Sequence, residues 1–313
     1  MTKLSRKPIL VTGTQRSGST WVGNILALDK SCGYIHEPFN IEGCRRGICR
    51  ANFHYWFTYI SKENSAQFED AITDTLNWNY SLSPEIKEIR NPVDGARLIR
   101  DALYFSRMKR QEARPIVKDP IAFFSSEWLA SKQDMNVVVI IRHPAAFVSS
   151  LKAAKWDFPF EHFVNQEKLM DDILYPFRDE IHRAAQCPLD LVAQGSLLWK
   201  LFHHHVITLQ EKRTDWLFVK HEDLCRTPID SFQALFNRLN LDFSDEVMAK
   251  LSGYTKREEG VRTFRLFNYS KDIRRNSKKT IKSWKKRLSQ RESERIRNSV
   301  EDVSKHFYSD STW

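Results

Sequence analysis

The chain has 313 residues, 41% of them hydrophobic and 28% charged, with a formal net charge of +10. Such a composition excludes collagen-like, coiled-coil and wholly disordered chains and fits an ordinary globular protein. The positive balance favours an anionic ligand or partner and says nothing about the fold.

The N-terminal apolar run is too short for a signal-peptide core or a membrane span, and no run of 18 apolar residues follows it. The expectation is a cytoplasmic protein with no membrane partner. Five cysteines are present, at positions 32, 44, 49, 187 and 225, with no CxxC pair and no second pair to complete a zinc site. They are expected to be reduced thiols.

In chain order, Pro8 to Thr12 is a short apolar run that enters a loop rich in Gly, Ser and Thr. Trp21, Val22, Ile25, Leu26 and Leu28 then repeat at helical spacing, giving strand, loop and helix. Residues 33–37 predict a second strand, stopped by Pro38. From Phe39 to about Arg114 the chain is aromatic and irregular, with room for several helices. Pro115 to Lys118 predicts a strand ended by Asp119-Pro120, with a helix over 122–132.

Val137 to Ile141 is a run of five β-branched residues without alternation, the pattern of a strand buried on both faces of a parallel sheet. Arg142-His143-Pro144 ends it and a helix follows over 145–154. A strand at Trp216 to Lys220 and a helix over 228–239 come later. The last helix starts near Ser289, with Glu292 and Glu294 in its first turns, as the helix dipole favours. Strands alternating with helices predict an α/β fold with a central, mostly parallel sheet and helical insertions, as one domain over 1–313.

The loop between the first strand and helix is an anion site for a physical reason. Successive backbone N–H groups point into such a turn, and the helix N-terminus adds positive potential. Gly13 and Gly18 frame it, and Ser17, Ser19 and Thr20 supply hydroxyls. The spacing approaches a GxxxxGK[ST] phosphate loop, but position 19 holds Ser where that motif has its lysine, and the cation is Arg16. A P-loop kinase or nucleotide hydrolase, which needs the lysine and a magnesium partner, is disfavoured. Arg142 leaves a buried parallel strand at the carboxyl edge of the sheet, where open α/β sheets bind ligands. Ser150 lies eight residues on, about two turns into the next helix.

VTGTQRSGSTW resembles the 5′-phosphosulfate loop of sulfotransferases that use PAPS (3′-phosphoadenosine 5′-phosphosulfate). It has the arginine variant seen in carbohydrate and tyrosylprotein sulfotransferases. The resemblance implies a P-loop-like three-layer α/β/α fold. It implies that Arg16, Ser17, Gly18, Ser19 and Thr20 bind the 5′-phosphosulfate, mainly through backbone N–H groups, with Thr14, Gln15 and Trp21 beside them. Ile141-Arg142-His143-Pro144 with Ser150 is similar to the family's 3′-phosphate pattern, so Arg142 and Ser150 take that role. Asn276 to Lys279, followed by Trp284, resembles the segment that closes over the 3′-phosphate and adenine in bacterial members. It makes Arg274, Arg275, Ser277, Lys278 and Lys279 candidates, although the family's RKGxxG form is absent. Within 271–297, twelve Lys and Arg face Asp272, Glu292 and Glu294. The rival reading of that stretch is a polyanion- or nucleic-acid-binding face, and no nucleic-acid-binding signature accompanies it.

By the same resemblance the reaction is sulfuryl transfer from PAPS to a hydroxyl or amino group of a small organic acceptor, releasing PAP. A natural-product alkaloid or a sugar would suit. No metal is required, and no carboxylate cluster that would hold one is visible. The acceptor needs a base. Glu37 matches the glutamate that follows the loop in arginine-type members. His36 is the second choice, and only one of the pair should face the acceptor if both lie on a strand. Lys118 is the third, polarising the bridging oxygen. The aromatic residues of 41–114 and 156–177, Trp56, Trp156 and Phe158 among them, are expected to line an acceptor pocket, with 41–114 as a covering insertion.

Overall fold

The computed structural model describes residues 7–256 and 281–313. Five strands, β1 (Ile9–Gly13), β2 (Cys32–His36), β3 (Arg114–Lys118), β4 (Asn136–Ile141) and β5 (Leu217–Lys220), form a parallel sheet flanked by helices, in the order β2-β3-β1-β4-β5. The α/β fold expected from the alternating pattern is the one observed. β1 and β3 are buried throughout and so is β4 from Val137 onward, which is why β4 reads as an unbroken apolar run.

The chain divides into two compact units. Among the described residues, the first holds 7–12 and 20–137, and the second holds 13–19, 138–256 and 281–313.

In the first unit, β3 pairs with β1 on one side (Ile9 with Ile116) and β2 on the other (Tyr34 with Ile116). The irregular stretch after β2 contains three helices, Ala66–Leu76, Leu82–Ile86 and Pro92–Arg110. The last begins on an N-cap, Asn91, whose side chain accepts from the Asp94 N–H, and has Pro92 in its first turn. Much of the aromatic richness of this stretch is core. Phe39, Phe53 and Phe68 stack in series at 4.3 and 5.3 Å. The Trp78 indole N–H donates to the Ala113 carbonyl at 2.8 Å.

A buried ion-pair network ties two segments of this unit together. Arg45 pairs with Glu85 and, at 2.9 Å, with Asp101, and both carboxylates are buried. Glu85 also accepts from the Gly47 N–H at 2.8 Å. Removing one partner of such a group leaves buried charge uncompensated, at a cost of about 3–5 kcal/mol. Arg45→Ala is therefore expected to lower Tm by roughly 5–15 °C in a thermal melt. An unchanged Tm would show that the network contributes nothing.

In the second unit, β4 and β5 pair in register (Val138 with Leu217, Ile141 with Lys220). Helix Pro144–Ala154 is buried from Pro144 to Leu151 and packs on helices Leu191–Lys212 and Gln290–Ser304. Gly195 allows the approach, because a Cβ there would lie 3.2 Å from Val148. Helix Gln290–Ser304 starts at a full capping box between Ser289 and Glu292, at the place the sequence indicates. All five cysteines are free thiols. Among the described residues, no helix is long and apolar enough to cross a membrane.

Candidate active site

The residues that the sequence singles out fall in two groups, one in each unit. In the second unit, the loop after β1 is built by its backbone. Gly13 has φ +130 and Gly18 φ +101, conformations that L side chains rarely adopt. A Cβ on Gly13 would stand 2.4 Å from the Ile140 carbonyl oxygen, and one on Gly18 would stand 2.5 Å from His221 Nδ1. Between them the Ser17 N–H donates to the Thr14 carbonyl at 3.2 Å, closing a turn that puts Arg16 in the left-handed region at φ 64.

This loop engages the residues expected at the 3′-phosphate, in an arrangement the sequence did not show. Arg16 Nε donates to Ser150 Oγ at 3.0 Å. Arg142 Nη1 donates to the Arg16 carbonyl. Arg142 and Ser150 thus both reach Arg16, one at its main chain and one at its guanidinium. Burial lowers the Arg142 pKa, and an arginine keeps its charge through such a shift.

Among the described residues, Thr14 Oγ1, Ser17 Oγ, Arg142 Nε and both amide atoms of Gln15 are buried without a hydrogen-bond partner. A buried polar group left unsatisfied costs about 1–3 kcal/mol, and native structures contain few of them. Several converging beside two arginines fit a bound anion with many acceptor oxygens. Ser19 opens helix Ser19–Leu26, and Thr20 and Trp21 lie in its first turn.

Behind the loop, Glu222 holds the turn that carries Arg142. Its carboxylate accepts from the His143 N–H at 3.0 Å and from the Tyr308 hydroxyl at 3.0 Å. The Arg142 carbonyl accepts from the Trp199 indole at 2.8 Å. His143 stacks on Trp284 at 5.3 Å and is held neutral, its pKa pushed down to about 3 by burial and by Lys285 and Arg142. Trp284 is therefore packed on the Arg142–Pro144 turn. Arg274, Arg275, Ser277, Lys278 and Lys279 lie outside the described residues.

Gly18→Ala would drive a Cβ into the His221 ring in a backbone conformation alanine resists. Binding of PAP, measured by calorimetry, is expected to weaken at least about tenfold. Gly95→Ala, in an open helical position with nothing within 4 Å, should leave it unchanged. Equal affinity in both variants would remove the loop's conformation from the binding account.

In the first unit, the ends of β2 and β3 bring Glu37, His36 and Lys118 together. The Lys118 ammonium, fully buried, donates to Glu37 Oε1. Asn40 Nδ2 donates to Glu37 Oε2 at 2.9 Å, and His36 Nε2 lies 3.9 Å from the same oxygen. Both His36 and Glu37 therefore reach one place, against the expectation that only one of the pair would. The reason is that β2 ends at His36 and Glu37 takes φ 44, which abolishes the alternation of side chains along a strand. The Glu37 N–H donates to the Lys118 carbonyl at 2.9 Å and fixes the turn. Asp119, also buried, accepts from Phe39 N–H and Ile121 N–H at 2.8 Å each and braces it from below.

Burial by itself would raise the Glu37 carboxyl. Lys118, His36 and the hydrogen bonds from Lys118 and Asn40 outweigh it and hold the carboxyl below its ordinary 4.5. His36 is pushed down to about 4, first by burial and then by Lys118, and is neutral near pH 7. Glu37 is 20% exposed at its side chain and Lys118 only 1%, so the carboxylate is the accessible member of the pair.

Of the expected acceptor aromatics, Trp56 belongs to the first unit and Trp156 and Phe158 to the second. Phe158 is buried against Phe160 and Phe163, at 5.3 and 4.7 Å, as a core residue. Trp156 and Trp56 are partly exposed, Trp156 lying 5.8 Å from Phe158. Asn40, His221 and Glu222 were missed as site residues. The His221-Glu222-Asp223 triplet at the end of β5 was the available signal for two of them.

The sequence profile described as the sulfotransferase domain matches residues 6–308. The chain belongs to the sulfotransferase domain family. As a member it is a transferase of sulfuryl groups. It is similar in structure to the sulfotransferase domain of the Synechococcus PCC 7002 olefin synthase. The identity is 13%, covering 99% of this chain and 98% of that one, with a TM-score of 0.45. A second similarity is to mouse sulfotransferase SULT7A1 complexed with PAP, at 12% identity, 98% and 86% coverage and a TM-score of 0.45. A third is to the sulfotransferase domain of the curacin biosynthetic pathway, at 12% identity, 94% and 97% coverage and a TM-score of 0.47. A search of the curated proteins finds no matching relative.

Proposed function

We propose that this sulfotransferase moves a sulfuryl group from PAPS to a hydroxyl or amino group of a small organic acceptor and releases PAP. The observation that carries the donor assignment is the loop. It presents buried, unsatisfied donors at Thr14, Ser17 and Gln15, between Arg16 and Arg142. PAPS supplies an activated sulfuryl group on a phosphate leaving group. Arg16 and the loop N–H groups hold the 5′-phosphosulfate and neutralise the charge that gathers on its oxygens as the sulfur–oxygen bond breaks. Arg142 and Ser150 take the 3′-phosphate, for which the arginine fork is well shaped.

Glu37 is the general base. Its carboxylate is charged and accessible, and takes the acceptor's proton as the acceptor oxygen or nitrogen bonds to sulfur. The bonding pair of the broken bond leaves with the phosphate of PAP, so charge and atoms balance. Lys118, buried behind Glu37, keeps the carboxylate ionised until the proton arrives. Within this reading the acceptor is a small molecule, such as a natural-product alkaloid or a sugar, and the setting is cytoplasmic.

The test is turnover of radiolabelled PAPS against a library of hydroxyl and amine acceptors, with PAP release as the readout. Label transfer to one acceptor class is expected. No PAP binding together with magnesium-dependent ATP hydrolysis would overturn the reading.

A further inference from the structure

Glu37 is held from two sides. Lys118 occupies Oε1, while Oε2 is held by the side-chain amide of Asn40. That amide can point only one way. Its Oδ1 accepts from the Glu42 N–H at 3.0 Å and the Gly43 N–H at 2.8 Å, so the NH2 group must face Glu37. The Asn40 main chain is pinned as well. Its N–H donates to the Glu37 carbonyl at 3.1 Å, and its carbonyl accepts from the Cys44 N–H at 3.0 Å.

We propose that Asn40 is a positioning residue for Glu37, orienting its carboxylate and supporting its charge through the Nδ2–Oε2 hydrogen bond. The inference rests on the reading of Glu37 as the general base. The physical argument concerns the two oxygens. With Lys118 as the only donor, the carboxylate could rotate and offer either or both oxygens to the ammonium, which would quench it as a base. A second, rigid donor of no charge at Oε2 fixes the plane of the group without adding another cation. It leaves each oxygen with a further lone pair for the acceptor's proton.

The groups that face Glu37 are Lys118 and Asp119 at the end of β3, and His36 and Tyr34 on β2. Asp119 is raised to about 7, first by burial and then by the Glu37 charge, and its hydrogen bonds run to backbone N–H groups. The Tyr34 hydroxyl is raised by burial, stays neutral, and lies 3.3 Å from His36 Nδ1. None of these supplies a neutral donor to Oε2.

The experiment is the pH dependence of kcat/KM for the wild type, Asn40→Asp and Asn40→Ala, from about pH 4 to 8, with PAP affinity measured in parallel. Asn40→Asp keeps an acceptor for the Glu42 and Gly43 N–H groups, so the loop retains its bonds. It replaces the donor at Oε2 by a second carboxylate. The acidic limb is expected to move up by about one pH unit in Asn40→Ala and further in Asn40→Asp. PAP affinity should stay within about twofold of wild type. An acidic limb that stays in place in Asn40→Asp, whatever the plateau rate, would overturn the proposal, because a purely structural role lowers the rate without moving the limb. Should Asn40→Ala fail to fold, Asn40→Asp decides alone. Glu37→Gln in the same series separates the two readings. If it is inactive while Asn40→Asp keeps the wild-type limb, only the present inference fails; if it keeps full turnover, the base assignment fails and takes this one with it.

Discussion

Glu37→Gln is expected to lower turnover by about 10²–10⁴-fold while PAP affinity stays within twofold of wild type. Glutamine has nearly the shape of glutamate, so the Asn40 loop should persist, but the charge that accepts the acceptor's proton is gone. The substitution also leaves the Lys118 ammonium buried beside a neutral group. Removing one partner of a buried pair costs about 3–5 kcal/mol, so a loss of activity could reflect instability. The double variant Glu37→Gln/Lys118→Met separates the two causes. Replacing both charges by groups of similar volume is often neutral for stability, so the double variant should melt close to wild type and still be inactive. His36→Gln is the companion measurement. Neutral His36 lies 3.9 Å from Glu37 Oε2 and is the other group able to take a proton. Full activity in Glu37→Gln with loss in His36→Gln would transfer the role to the histidine.

Arg16→Ala is expected to cost about 10²–10³-fold in kcat and to weaken PAPS binding, because a single charge-stabilising donor at a transferring group has that effect. Its guanidinium is tied to Ser150, so the substitution also releases that hydroxyl, while the bond from Arg142 to the Arg16 carbonyl persists. Arg16 has φ 64, a conformation that costs alanine about as much as arginine, so Arg16→Ala removes the guanidinium without adding backbone strain. Arg16→Gly removes the same side chain and also relieves the cost of positive φ, so it serves as the second variant. Arg16→Lys keeps charge without the planar fork and should fall between the two extremes. Unchanged PAPS affinity in both Arg16→Ala and Arg16→Gly would contradict the loop assignment.

A good deal of this molecule was legible without coordinates. The strand at 137–141 declared itself because a strand covered on both faces needs apolar residues at every position, not at alternate ones. The helix after Ser289 declared itself because caps are local chemistry, satisfied within four residues of chain. The loop at 13–20 was legible for the same reason. Glycines at two positions of positive φ with an arginine between them mark a tight turn between strand and helix, the feature on which the proposed anion site rests.

The helices of 66–110 were harder to read, since their aromatic and charged residues answer to partners elsewhere in the chain. Arg45 with Glu85 and Asp101 is an example. Phe158 illustrates the opposite error, a residue assigned to a pocket that burial assigns to the core.

By itself, then, the sequence determined the α/β class and the family, and it singled out Arg16, Arg142, Ser150, Glu37, His36 and Lys118 as candidates. The tertiary structure decided how those residues are used. Ser150 meets Arg16 because a loop and a helix distant in sequence converge. Glu37 escapes strand alternation because contacts from β3 hold it at positive φ. Asn40 matters only because the turn at 40–44 directs its amide back to the carboxylate. Local chemistry is written in neighbouring residues, whereas a side chain's direction and charge state depend on contacts with residues far away in the chain.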